Sequence, residues 1–234
     1  MSPRHQGSRD VRFRTVTAPA TFADEQRADI QVQFTEPRNR LTVAFRLILV
    51  IPHAIIVGLW SYAVLFAAVG QWFVVLVTGK RNRGIWEFCN NWLGYAGRVY
   101  TYEFLLHDEW PPIGEDRINS TPTRYTFQGS EDANRLTNAL RIIWAIPAMI
   151  IWYLVALAIF LVAIASWFAI VFTGRHPKAM WDFLHRGTRF YLQFMSYTLL
   201  MTDAYPSWSA AEAPTPPVTT DSRALPGSPL PPPG

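Results

Sequence analysis

The sequence has a single cysteine and none of the short motifs that commonly mark an active site. Cys89 has no second cysteine with which to form an intrachain disulfide, and no metal-spaced neighbours. There is no glycine-rich phosphate loop, no H-E-x-x-H zinc motif and no G-x-S-x-G nucleophile elbow. The five histidines are scattered along the chain, so they predict no metal site. We therefore expect a protein that is not an enzyme and has no cofactor.

Charge is missing from two long stretches of the chain. Charged residues make up 16% of the sequence, against about 25% in soluble domains, and 47–77 and 142–172 contain no Lys, Arg, Asp or Glu. Each run has 31 residues, whereas about 18 apolar residues already predict a membrane segment. A chain of 234 residues can hardly cover two such helices on all sides. The runs predict an integral membrane protein.

The net charge of +4 indicates a lipid partner rather than a nucleic acid. The basic residues flank the apolar runs and do not follow one solvated face, which argues against nucleic-acid binding. Lys and Arg beside membrane segments are typical of cytoplasmic loops facing anionic head groups. The first 37 residues have no apolar core, so the first apolar run is expected to act as an uncleaved insertion signal.

The chain contains an internal repeat. At an offset of 95 residues, 39–112 aligns with 134–207 without a gap and with 24 identities in 74 positions. Polar landmarks stay in register as well as apolar ones: the tetrapeptide N-R-L-T opens both copies, and Arg46 and Asp108 fall on Arg141 and Asp203. Two tandem copies of one module are therefore predicted.

These features divide the chain into five segments. The two modules are predicted at 29–112 and 124–207, with a linker at 113–123. The basic segment 1–28 is expected to be disordered. The tail 208–234, with eight prolines after residue 208, is also expected to be disordered because its composition cannot bury enough apolar surface.

Each module is predicted to be all-α in the membrane. A single helix over 41–79 would be about 58 Å long, nearly twice the hydrocarbon thickness of about 30 Å. The run is therefore either one long bent span or a helical hairpin. Basic residues at both ends favour the hairpin, since the chain then enters and returns on the cytoplasmic side. This prediction gives four spans in total.

An amphipathic helix is predicted over 85–106, with a counterpart in the second module. Its polar residues fall in one narrow arc, and the rest of its surface is apolar and aromatic. We expect it to lie in the membrane interface, or else to span with the polar stripe facing a bundle interior or a watery path. Alternation at Ile30, Val32 and Phe34, and at Tyr125 and Phe127, predicts a short β-strand before each module, and the two strands are expected to pair.

The combined motifs resemble a known family. They are R-L-I-L-V-I-P-H at 46–53, W-F-x-x-x-x-T-G-K/R at 72–80 and 167–175, the W-E/D-F start of each amphipathic helix, and endings with Leu, Asp and Pro. Together they resemble domain-of-unknown-function family 4389, uncharacterised bacterial membrane proteins common in actinobacteria. The resemblance implies a plasma-membrane location and duplicated modules, and it implies no activity. The second module has Ala148 in place of His53, which argues against a histidine required in every module.

Five residues are candidates for function. Arg46 and Arg141 recur at the same position, so they are predicted either to contact an anion or lipid head group, or to snorkel to the interface, which we favour. His53 follows Pro52 and is expected to bond a carbonyl freed by the proline. Arg98 and Arg189 belong to the polar stripes of the two amphipathic helices.

Two functions remain open at this point. We favour a non-enzymatic protein of the bacterial plasma membrane, multi-pass with cytoplasmic basic loops, that scaffolds, assembles or regulates a membrane complex. Its expected partners are the anionic bilayer and either another protein or further copies of itself. The alternative is a small transporter or channel in which the polar faces of the amphipathic helices line a path.

Overall fold

The computed structural model describes residues 27–113 and 122–209, and both repeats have nearly the same order of elements. The first contains strand β1 (Asp29–Val32), short helices α1 (Arg40–Ala44) and α2 (Arg46–Leu49), long helix α3 (Ile51–Thr78) and helix α4 (Arg83–Glu103). The second contains β2 (Thr123–Thr126), short helix α5 (Arg135–Ala139), long helix α6 (Arg141–Thr173) and helix α7 (Lys178–Thr198). The segments predicted as a disordered N-terminus, a linker and a disordered tail lie almost wholly outside the described residues.

The two long helices are continuous, so the predicted hairpins are wrong. Helix α3 has 28 residues and α6 has 33. Gly58 and Ser61 do not form a turn, because the Ser61 hydroxyl donates a hydrogen bond to the Gly58 carbonyl inside the helix at 2.6 Å. Pro52 lies in the first turn of α3, where the absent N–H costs no helical bond. No residue within either run adopts the left-handed backbone conformation that ends a helix. Each run therefore remains one long helix.

Conserved positions between the repeats begin and end the helices. The side chains of Asn39 and Asn134 accept hydrogen bonds from backbone N–H groups at the starts of α1 and α5. Gly79 and Gly174 end the long helices with φ of 73° and 72°, a left-handed conformation that favours glycine. The N-R-L-T and T-G pairs found in the sequence therefore mark the two ends of each long helical segment.

The start of each repeat packs against the end of the long helix of the other repeat. The backbone N–H of Arg38 donates to the Gly174 carbonyl, and that of Ala133 to the Gly79 carbonyl, both at 3.1 Å. The Trp167 indole donates to the Val43 carbonyl at 3.0 Å. Its counterpart Trp72 donates to the Asn138 carbonyl at 3.1 Å. Helices α3 and α6 consequently run antiparallel, with each beginning beside the end of the other.

A pseudo-twofold axis relates the two repeats. Strands β1 and β2 pair antiparallel with Ile30 opposite Tyr125, and these positions are 95 residues apart, which is the repeat offset. A Cβ on Gly97 would lie 3.2 Å from Ile30 Cδ1 and 3.3 Å from Leu192 Cδ1, and Gly97 and Leu192 are again equivalent positions. The axis therefore passes through the paired strands and then between α4 and α7.

The two paired strands, which we call the ribbon, cover one side of α4 and α7. The long helices α3 and α6 pack against α4 and α7, respectively. Residues 92–99 of α4 and 187–194 of α7 are all buried, so these two stretches are surrounded on every side. The core of the protein is therefore the crossing of the two amphipathic helices, not of the long apolar ones.

The long helices present only one narrow stripe to the rest of the protein. In α3 this stripe consists of residues spaced by three, four or seven, namely His53, Val57, Val64, Ala68, Gln71 and Val75. The remaining surface is apolar and exposed, as at Phe66 (75% exposed) and Val77 (77%). Each long helix thus carries a wide apolar surface that no described residue covers.

Two glycine substitutions test the continuity of α3 and the packing of α6 on α7. A Cβ at Gly58 meets no atom within 4 Å, so Gly58→Ala should raise the free energy of unfolding by about 0.5–1 kcal/mol through helix propensity. At Gly187 a Cβ would lie 2.5 Å from Ile159 Cδ1, and Gly187→Ala should cost about 1–3 kcal/mol through overpacking. Thermal unfolding in detergent, followed by circular dichroism, measures both. A lower free energy of unfolding for Gly58→Ala would contradict a continuous α3 and would support the hairpin model.

Candidate functional site

A buried charged site joins the end of α4 to the segment before α3. It consists of Arg38, Arg46 and Asp108, which we call the first cluster. An Arg46 η nitrogen lies 2.6 Å from Asp108 Oδ1 and an Arg38 η nitrogen lies 3.7 Å from it. Asp108 Oδ2 accepts the backbone N–H of Asn39 at 3.0 Å. Arg46 also donates to the carbonyls of Tyr102 and His107, both at 2.6 Å, so it is bonded on several sides.

The second repeat contains an equivalent site. Its members are Arg81, Arg141 and Asp203, the second cluster, with guanidinium nitrogens 2.9 Å and 2.7 Å from Asp203 Oδ1. Asp203 Oδ2 accepts the backbone N–H of Asn134 at 3.1 Å. The guanidinium of Arg141 lies 4.2 Å from the centre of the Tyr197 ring, as that of Arg46 lies 4.1 Å from the Tyr102 ring.

The clusters differ in the origin of their second arginine. In the first cluster it is Arg38, whose equivalent in the second repeat is Ala133. In the second cluster it is Arg81, which comes from the turn after α3 in the other repeat, and whose equivalent is His176. In both sites two guanidinium groups therefore lie beside one carboxylate, although the second arginine comes from a different position in the repeat. The second cluster directly bonds one repeat to the other.

Two buried histidines lie beside the first cluster. Burial, together with the charges of Arg46 and Arg38, lowers the pKa of His107 to about 3, against a smaller opposing effect of Asp108. Burial likewise lowers the pKa of His176 to about 4, with Arg38 acting in the same direction. Both side chains are therefore neutral near pH 7. The equivalent positions beside the second cluster hold Thr202 and Arg81, so histidine titration concerns the first cluster.

The structure places the predicted site residues inside the protein. Arg46 and Arg141 are 1% and 3% exposed, so the interpretation that they snorkel to the interface is wrong. A buried carboxylate lies within reach of each guanidinium and provides a closer partner than the interface. The alternative of an anion or head-group contact at these two arginines stays a prediction.

The other three candidates also have partners within the fold. His53 Nδ1 lies 2.7 Å from the Tyr95 hydroxyl oxygen, so the expected bond to a freed helix carbonyl is wrong. Its ring also packs on Trp110, with the ring centres 4.6 Å apart. Arg98 lies over the same Tyr95 ring at 5.9 Å. Arg189 forms an ion pair with Asp29 of β1. Tyr95 therefore links His53 with Arg98, whereas Arg189 belongs to the contact between α7 and the ribbon.

Part of each polar stripe on α4 and α7 faces the ribbon. The Tyr125 hydroxyl donates to the Asn90 side chain at 2.8 Å, and His185 Nε2 lies 2.8 Å from the Ile30 carbonyl oxygen. The Arg189–Asp29 pair lies on the same side. These contacts explain why amphipathic helices are buried at the centre of this fold, because the ribbon provides polar partners for their stripes.

No local pattern in the sequence predicts the two clusters, because their arginines and aspartates lie far apart along the chain. Arg38 and Arg81 belong to the basic residues that flank the apolar runs. One signal was present: an arginine and an aspartate recur 62 positions apart in both repeats, at 46 and 108 and at 141 and 203. A pair of opposite charges that is kept through a duplication at fixed spacing predicts a contact.

Comparison with known families gives a match over most of the described chain. The model of the family described as Domain of unknown function (DUF4389) matches residues 40–113 and 135–209. The chain belongs to this family. The two matches confirm two tandem copies, and each DUF4389 copy contains its own arginine and aspartate of the clusters. No curated protein and no solved structure matches the chain.

Chemically, the DUF4389 clusters are suited to holding the fold together. Their charged groups bond to each other, to backbone carbonyls and to aromatic faces. Within the described ranges, no group of three or more His, Cys, Asp and Glu residues is placed to hold a metal ion. Each cluster connects the end of an amphipathic helix to the start of the long helical segment in the same repeat. The carboxylates of Asp108 and Asp203 remain partly exposed.

Removing one carboxylate should destabilise the DUF4389 fold. Asp203→Asn leaves Arg81 and Arg141 buried without a counter-charge, and we expect it to lower the free energy of unfolding by about 2 kcal/mol. This is less than the roughly 3–5 kcal/mol for fully buried pairs, since Asp203 retains 28% side-chain exposure. The control is Asp182→Asn, which removes an exposed pair with Lys178 and should change stability by less than about 0.5 kcal/mol. Equal effects of both variants would contradict a stabilising role for the second cluster.

Acid should also destabilise the fold through His107 and His176. The unfolded chain has histidine pKa values near 6.5, above the values of about 3 and about 4 in the folded protein. Below about pH 6.5 the unfolded state therefore binds more protons, and the folded state loses stability as the pH falls toward those lower values. Unfolding midpoints measured between about pH 7.5 and about pH 5 should decrease. The decrease should be smaller in His107→Asn, and an unchanged pH profile in this variant would argue against the histidine.

Proposed function

We propose that this DUF4389 protein is embedded in the bacterial plasma membrane through α3 and α6 and scaffolds a membrane complex without catalysing a reaction. The observation that carries the proposal is the exposed apolar surface of the two long helices. Only 22% and 17% of their most apolar windows are buried inside the protein. A core helix of a soluble protein would be mostly buried, so these surfaces require a partner that is itself apolar.

The bilayer is the partner that fits these surfaces best. Large apolar side chains recur around α3 and α6, among them Leu59, Phe66, Leu154 and Phe172, each at least 65% exposed. In water, exposed apolar area costs about 25 cal/mol per Å², and contiguous patches of this kind are rare on soluble monomers. Hydrocarbon around both helices removes that cost. The family resemblance and the basic residues at the helix ends support the plasma membrane as the location.

A scaffolding role is supported by what the exposed helices offer and by how the charged groups are used. The outer faces of α3 and α6 are apolar and are held rigidly at both ends by contacts with the other repeat. Such faces can pack against helices of a partner protein or of a second copy of the chain. The charged side chains of the two clusters are bonded to each other and to backbone carbonyls, which makes them structural rather than reactive.

The transport alternative stays a prediction that no observation favours. It required the polar stripes of the amphipathic helices to line a path. Among the described residues, the stripes contact the ribbon through Tyr125, Arg189 and His185. A path along them would have to displace the ribbon.

The scaffold proposal predicts that outer-face substitutions release partners without affecting the fold. Phe66→Ala and Leu154→Ala truncate side chains that are 75% and 65% exposed. The double variant should keep the unfolding midpoint within a few degrees, but it should recover at least about tenfold less partner protein in affinity purification from membranes (about 1.4 kcal/mol). Asn91→Ala, an exposed change on α4, is the matched control and should recover partners as the unchanged protein does.

Two results would contradict the proposal. Release of the unchanged protein from membranes by alkaline carbonate would show that α3 and α6 are not embedded. Recovery of the protein alone, together with solute flux in liposomes containing it, would favour the transport alternative.

A further inference from the structure

The position of the ribbon on the pseudo-twofold axis constrains how the protein sits in a bilayer. If the antiparallel helices α3 and α6 crossed the membrane, the axis that relates them would lie in the membrane plane at mid-depth. The Ile30–Tyr125 pair lies on that axis, so the ribbon would be placed at the depth of the hydrocarbon centre. Exposed polar side chains lie in and beside the ribbon: Gln33 follows β1, Arg124 lies in β2, and Gln128 follows β2.

A ribbon at that depth is physically unfavourable. The exposed side chains of Gln33 and Gln128 would face lipid there, and polar groups within a bilayer are costly unless they face a bundle interior or a water-filled cavity. Arg124 of β2 is also exposed, and an arginine at mid-bilayer is costly on every scale. A crossing orientation therefore conflicts with the polar surface at the ribbon.

The distribution of basic residues leads to the same conclusion. The start of α3 and the end of α6 meet at one end of the helix pair, and the opposite termini meet at the other. Each end carries three exposed cations: Arg40, Arg175 and Lys178 at the first, and Lys80, Arg83 and Arg135 at the second. A crossing orientation would leave three on each side of the membrane, without the asymmetry in Lys and Arg that orients membrane proteins.

The long helices are too long for a simple crossing of the bilayer, but their width fits one leaflet. With 28 and 33 residues, they are about 42 Å and 50 Å long, well beyond the hydrocarbon thickness of about 30 Å. An α-helix with its side chains is about 10–12 Å across. A layer of helices lying flat therefore fits within one hydrocarbon leaflet, which is about half of 30 Å.

We propose that α3 and α6 lie in the plane of the membrane within the cytoplasmic leaflet, with the ribbon facing the cytoplasm and the six exposed cations of the helix ends at anionic head groups. The pseudo-twofold axis then follows the membrane normal, so both repeats meet the same lipid surface. Helices α4 and α7 form the layer between the leaflet and the ribbon. This inference rests on the proposed embedding in the bilayer and replaces the multi-pass arrangement expected from the sequence.

Single cysteines report on which side of the membrane each surface lies. In a Cys89→Ala background, Lys80→Cys and Arg175→Cys mark the two ends of the helix pair, and Arg124→Cys marks the ribbon. We expect an impermeant maleimide to label all three in inside-out vesicles and none in intact spheroplasts. Labelling of Lys80→Cys and Arg175→Cys from opposite sides, protection of Arg124→Cys in both preparations, or labelling of all three from outside would each overturn the proposal.

Leu65→Cys separates a failure of this inference from a failure of the embedding itself. Leu65 is an exposed residue near the middle of α3, so its cysteine should be protected from both sides whether the helix crosses the bilayer or lies flat. Rapid labelling at this position would sink the proposed embedding. Protection at Leu65→Cys with labelling of the ends from opposite sides would leave the embedding intact and reject only the in-plane orientation.

Depth measurements along α3 provide a second, independent test. Leu59, Phe66 and Phe73 are exposed and seven residues apart, so they share one face of the helix. Spin labels at these three positions in vesicles of phosphatidylethanolamine and phosphatidylglycerol should have the same depth, as reported by relaxation from oxygen against a water-soluble nickel chelate. A crossing helix would instead shift the depth by about 10 Å per step, and such a gradient would overturn the in-plane orientation.

Discussion

The structure depends on an exchange of contacts between the two repeats. Each module begins beside the end of the other's long helix, where Gly174 and Gly79 accept backbone hydrogen bonds from the incoming segment. The carboxylates of Asp108 and Asp203 then hold the arginines that come with those segments. Because both long helices are held at both ends in this way, they run antiparallel. Their arrangement therefore does not depend on packing between the two helices themselves.

This arrangement reverses the usual places of apolar and amphipathic helices. The most apolar helices, α3 and α6, lie at the outside, and the amphipathic α4 and α7 cross at the centre. The inversion is possible because the ribbon satisfies the polar stripes from one side while the long helices cover the apolar faces from the other. It also leaves the outer surface apolar, which is the arrangement that a bilayer favours, because polar groups are then satisfied inside the protein.

The fold was predictable from the sequence as far as local patterns determine it. Duplication at an offset of 95, the two strands and the amphipathic helices followed from periodicity and self-alignment, and the Asn39 and Gly79 caps explain why the N-R-L-T and T-G pairs recur. The placement of charge predicted a hairpin wrongly, since basic residues at both ends of a helix have a second explanation when two helices lie antiparallel. The clusters and the facing of the polar stripes depend on contacts between distant segments, such as Arg81 with Asp203, which no local pattern encodes.

The self-pairing of equivalent positions has a consequence for chains with one module. Ile30 lies opposite its own counterpart Tyr125, and Gly97 opposite Leu192, as identical residues would across the interface of a symmetric homodimer. A single-module ancestor could form this architecture only as a homodimer, in which its strand and the start of its long helical segment pack against a second molecule. Fusion of two such genes would then allow the halves to diverge. The first cluster contains Arg38 and the second contains Arg81, which are not equivalent positions. Separate chains of one gene cannot acquire such an asymmetry.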